Sequence, residues 1–75
     1  MEITRSAQYN DDGKHDGTYI MSAGPDKVGI ATKHENPSGK PIKFTFEPND
    51  SSPQLTECEA PTMKQLKAKI LKQLL

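Results

Sequence analysis

The chain has 75 residues, ten basic and ten acidic, for a formal net charge of zero, and that balance tells against a dedicated non-specific nucleic-acid binder, which carries a strong basic excess. Hydrophobic residues make up 32% and charged residues 27%, a lean supply for one domain over residues 1–75, since a domain this small buries only about 60% of the surface that its unfolded chain exposes. The single cysteine, Cys58, excludes an intramolecular disulfide.

No apolar run reaches membrane-spanning length and none resembles a signal peptide, so the expected setting is the cytoplasm, without membrane contact. Residues 1–9 read weakly as a strand, with Ile3, Arg5, Ala7 and Tyr9 on one parity, and fit either an edge strand or a loose arm. Residues 10–17 (NDDGKHDG) are turn chemistry. Asp11, Asp12, His15 and Asp16 raise the question of a metal, but their spacing is not that of a calcium loop and zinc wants more His or Cys. No metal and no cofactor is expected.

Residues 18–47 read as a β-meander. Tyr19, Met21 and Ala23 alternate with Ile20 and Ser22; Gly24-Pro25-Asp26-Lys27 turns the chain; Val28, Ile30 and Thr32 share one face of the return strand. Gly29 marks a bulge or a close backbone approach. Asn36-Pro37-Ser38-Gly39 fits a type I turn, and Ile42, Phe44 and Phe46 then point one way from the best strand, 41–47. Residues 48–61 form a connection rich in Pro, Ser and acid that Leu55 pins down. From Glu47 to Glu59 every charge is negative; from Lys64 to Lys72 every charge is positive.

Residues 62–75 give the clearest signal. Thr62 is an N-cap with Gln65 three residues on, and only fair to good helix formers follow. At about 100° per residue, Met63, Leu66, Ile70 and Leu74 form one stripe, and Leu71 and Leu75 a second. The second stripe has three readings, one of them a frayed helix end without consequence. In the other two it is the flank of one wide core-facing surface, with Lys67 laying its methylenes over it, or it meets another chain, with Leu71, Leu75, Lys67 and Lys64 as the contact residues.

The expected fold is α+β: an antiparallel sheet of three strands, or of four where residues 1–9 join it, covered on one face by the C-terminal helix. The expected core is Tyr19, Met21, Val28, Ile30, Ile42, Phe44, Phe46, Leu66, Ile70 and Leu74. Catalysis has no support, because the two histidines lie in turns and Cys58 sits among acidic neighbours that raise a thiol pKa. The function expected is a non-catalytic protein-binding module, an adaptor or a stoichiometric inhibitor of the kind phages direct at host machinery. Its partner would be another protein or a second copy. The alternative is a DNA-binding module that uses the sheet, with Lys27, Lys33, Lys40 and Lys43 as its basic residues.

Overall fold

A computed structural model describes residues 2–50 and 54–75. In chain order the elements are β1 (Ile3–Tyr9), β2 (His15–Ala23), β3 (Asp26–Glu35), β4 (Pro41–Pro48), β5 (Cys58–Ala60) and α1 (Met63–Leu74). The strands make one antiparallel sheet in the order β1-β2-β3-β4-β5, with α1 packed against it. The sheet thus has five strands, two more than the meander and one more than the four-stranded form expected from sequence. The weak N-terminal strand is real, and Cys58–Ala60 is a short strand inside the stretch read as connection.

Two hairpins turn by the same chemistry. In Asn10-Asp11-Asp12-Gly13-Lys14, the Asn10 carboxamide oxygen accepts from the amides of Asp12 and Lys14, both at 3.0 Å. In Asn36-Pro37-Ser38-Gly39-Lys40, the Asn36 oxygen accepts from Ser38 at 3.1 Å and Lys40 at 3.0 Å. Each loop closes through a glycine at positive φ, 79° at Gly13 and 87° at Gly39, where a Cβ would be strained.

The helix starts where its cap predicts. Thr62 is extended, and its hydroxyl accepts from the Gln65 amide at 3.2 Å. Met63, Leu66 and Ile70 are buried, and Leu71 and Leu74 pack partly buried against the core. The helix lies within 8 Å, Cα to Cα, of β4 and of both edge strands, β1 and β5. In a flat sheet those edges would be about 19 Å apart, four spacings of about 4.8 Å, wider than a helix of about 10 Å. The sheet therefore curls around α1. Lys69 Nζ donates to the Glu59 carbonyl oxygen at 2.5 Å, and Gln73 Oε1 accepts from the Thr56 amide at 2.7 Å, so both sides of the last connection are tied to the helix.

Two residues of the expected core lie outside it and a third at its margin. Ile30 is 39% exposed and Ile42 is 55% exposed, while Leu74 is only partly buried. The cause at Ile30 is a β-bulge. Ser22 pairs with Lys27 but Met21 pairs with Gly29, so Val28 is an extra residue and the parity of β3 inverts after it. Val28 itself turns inward, and Ala31 takes the inward position between Tyr19 and Phe46. Ile42 is passed over where the β3–β4 register shifts between His34 and Glu35. Ile3, Ala23, Leu55, Ala60 and Met63 complete the core.

Candidate functional site

The face of the sheet opposite α1 is uncovered among the described residues, and the β3 bulge decides what it shows. Past Val28, β3 turns Ile30, Thr32 and His34 to this face; β4 adds Lys43, Thr45 and Glu47; β5 adds Glu59. Between β3, β4 and β5, Ile30, Thr32, Thr45, Glu47 and Glu59 line a groove of about 370 Å³ with Glu57, Phe46 and Cys58, a volume within the usual range of ligand sites, about 300–1,000 Å³. Its floor is the methyl-bearing row Ile30, Thr32 and Thr45, and its walls are the carboxylates Glu47, Glu57 and Glu59.

The charges in the groove are only partly compensated. Lys43 Nζ reaches Glu59 Oε2 at 3.2 Å, in a pair open to solvent. Glu47 and Glu57 are exposed, so the groove keeps a negative excess. His34 Nε2 and Thr45 Oγ1 lie 2.9 Å apart beside it, which fixes the threonine hydroxyl. Cys58 is half-buried, and that burial pushes its thiol above the ordinary value, with Lys69 and then Gln73 opposing. Among the described residues no group of three His, Cys, Asp or Glu could hold a metal ion. The groove thus joins an apolar floor to a carboxylate-lined wall.

On the other face, beyond the helix, rings adjoin in a row: Tyr9 and His15 at 5.9 Å, His15 and Tyr19 at 4.8 Å, Tyr19 and Phe44 at 6.2 Å. The Arg5 guanidinium carbon sits 5.3 Å from the Tyr19 ring centre. His15 Nδ1 accepts from the Gly17 amide at 3.2 Å, which in the neutral ring leaves the proton on Nε2, a buried atom without a hydrogen-bond partner. The row continues the core toward the β1–β2 hairpin.

Of the basic residues weighed for a nucleic-acid face, Lys33 and Lys43, read on one sheet face from sequence, stand on opposite faces. Lys33 pairs across the strands with buried Phe44, on the helix side, and its ammonium bonds Glu35 at 3.0 Å, which holds its pKa above the ordinary lysine value. Lys43 is on the open face, bound to Glu59. Lys27 and Lys40 stand exposed at opposite ends of the sheet. The inverted parity of β3 is what moves Lys33 across. On the helix, Leu71 is half-buried against the core, Lys67 is half-buried beside it, Lys64 is exposed, and Leu75 is 92% exposed. Sequence reasoning missed Glu47, Glu57 and Glu59 as one wall. Their signal was the all-acidic stretch from Glu47 to Glu59; the missing link was β5, which folds that stretch back beside β4.

No protein-family model, no curated protein and no solved structure matches this chain.

Proposed function

We propose that the chain is a non-catalytic protein-binding module, an adaptor or stoichiometric inhibitor, whose open sheet face takes an extended basic segment of another protein. The observation that carries this reading is the groove between β3, β4 and β5, with its floor of Ile30, Thr32 and Thr45 and its three-glutamate wall. An extended strand places side chains alternately up and down. Apolar residues facing the floor and lysines or arginines leaning on Glu47 and Glu57 satisfy both parts of the groove. Charge of this sign steers association and selects partners more than it adds affinity. The sheet-in-groove DNA reading draws less support, because the four lysines it needs are divided between two faces and two ends, and glutamates occupy the open face.

Selection from a random dodecapeptide library tests the proposal. The expected winners carry basic residues at alternate positions. Their affinity drops about tenfold or more for each charge reversal, Glu47→Lys or Glu57→Lys, and falls with added salt. Duplex DNA of random sequence shows no submicromolar binding at physiological salt, since little counterion release is on offer. Winners without a basic bias, binding that ignores both reversals, or tight duplex binding overturns the reading.

A further inference from the structure

The two edges of the sheet are finished differently, and backbone hydrogen bonding shows how. On the β4 side, the Asn49 amide donates to the Val28 carbonyl at 2.9 Å. Bonded pairs alternate along an antiparallel ladder, so Pro48, Phe46 and Phe44 direct their backbone groups away from β3. β5 takes up Phe46 and Phe44 by pairing with Cys58 and Ala60. Pro48 has no N–H to leave exposed, which is how proline sits on a protected edge. That edge is therefore closed along most of its length.

On the β1 side, the Gly24 amide donates to the Glu2 carbonyl at 3.1 Å. This pair is in register with Ile3↔Ala23 and Arg5↔Met21. By the same alternation, Thr4 and Ser6 bond to β2, while Ile3, Arg5 and Ala7 turn their N–H and C=O groups outward. Among the described residues no strand meets them. Of the usual devices against edge pairing, β1 carries one charge, Arg5, which lies over the Tyr19 ring. β1 has no proline and no lysine. The irregularity between Ala7 and Tyr9 sits in β2, where Asp16, Gly17 and Thr18 stand opposite Gln8 alone, so β1 itself carries no inserted residue.

We propose that β1 pairs with the β1 of a second copy, antiparallel and centred on Ser6, joining two sheets into one. The occupant is a second copy because the strand complements itself in this register. Arg5 and Ala7 then form bonded pairs with Ala7 and Arg5 of the other chain, using the outward groups. Thr4 stands opposite Gln8, Ser6 opposite Ser6, and Tyr9, 66% exposed in one chain, lies beside Ile3 of the other. Shifting the centre to Arg5 sets two guanidiniums face to face, which cross-strand pairs disfavour. Shifting it to Ala7 leaves Ile3 unpaired. This interface is separate from the glutamate groove and rests on different residues.

Sedimentation across the micromolar range tests it with three variants. The unaltered chain is expected to dimerise. Ala7→Pro removes an outward donor and leaves the bonds of β1 to β2 in place. It should raise the dimer dissociation constant about a hundredfold, roughly tenfold for each of the two symmetry-related hydrogen bonds lost. Ser6→Cys in a Cys58→Ala background should oxidise to a covalent dimer, because facing residues of a non-bonded pair come within about 4.5 Å, Cα to Cα. Thr4→Cys in that background should not, since its counterpart lies several residues away along the strand. A monomeric chain at all concentrations overturns the proposal, whatever else it binds. So does a folded Ala7→Pro variant with unchanged association, or a Thr4→Cys variant that cross-links as fast as Ser6→Cys. Should Ala7→Pro fail to fold, the pair of cysteine variants decides alone.

Discussion

Adding one methyl group at Gly29 is expected to damage this fold severely. Gly29 follows the bulge residue Val28 and pairs with Met21 on one side and Pro48 on the other. A Cβ built on its backbone overlaps the Glu47 carbonyl oxygen and lies 2.7 and 2.8 Å from Cε1 and Cζ of Phe46. Phe46 is 2% exposed and packed on all sides, so its ring has nowhere to turn. The Glu47 oxygen is backbone and moves only if the β3–β4 ladder moves. Forcing an atom into a packed interior costs typically about 1–3 kcal/mol and occasionally more; with a ring and a carbonyl both in the way, Gly29→Ala belongs at about 3 kcal/mol or above. A domain of this length has about 4–11 kcal/mol in all, at roughly 0.05–0.15 kcal/mol per residue. The variant should lose about a quarter or more of its stability and melt about 12–24 °C lower. Urea melts followed by circular dichroism measure the change directly. A midpoint within about 0.5 kcal/mol of the parent would show that β3 and β4 do not approach as closely as the bulge requires.

Leu66→Ala and Ile70→Ala, at two fully buried helix positions, should each cost about 2–5 kcal/mol in the same melts. Leu71→Glu and Leu75→Glu should separate. The first places a charge on a side chain packed against the core and should destabilise by about 1–3 kcal/mol; the second, at a 92% exposed position, should stay within about 0.5 kcal/mol. Equal effects would mean that the last helical turn is placed differently. Cys58 should react slowly with a disulfide reagent near neutral pH, because burial raises its thiol from the ordinary value of 9.0. By linkage, its contribution to stability holds below that ordinary value and is lost as pH rises through it toward the folded value, and Cys58→Ala should remove that part of the alkaline slope in pH-dependent melts.

The fold was largely legible because its strongest signals are local. Thr62 with Gln65, the helical spacing of Leu66 and Ile70, and the Asn and Gly residues of the two hairpins specify elements without reference to distant parts of the chain. β5 was not legible for the opposite reason. Cys58-Glu59-Ala60 shows no β-propensity worth the name and pairs only because Leu55, Ala60 and the Lys69 bond to Glu59 hold that stretch against the sheet and helix. The wide-flank reading of the helix suits Leu71, which touches the core, and leaves Leu75 in solvent.

The candidate site was hidden by a single residue. Had β3 run without a bulge, Val28 would sit opposite Met21, Ile30 would be in the core, and Lys33 would stand on the open face with Lys43. That face would then hold two lysines, Lys33 and Lys43, against the same three glutamates. Val28 is instead an extra residue, and every side chain after it changes sides. Lys33 goes to the helix side and binds Glu35; Ile30 and Thr32 come out to floor a groove walled by Glu47, Glu57 and Glu59. The bulge needs a residue without a side chain next to it, because the backbone of β4 and the Phe46 ring crowd that position, and Gly29 fills this need. Which β3 side chains floor the groove, and on which face Lys33 stands, thus follow from the pair Val28-Gly29. Composition could not show this, since moving a residue from one face to the other changes no count.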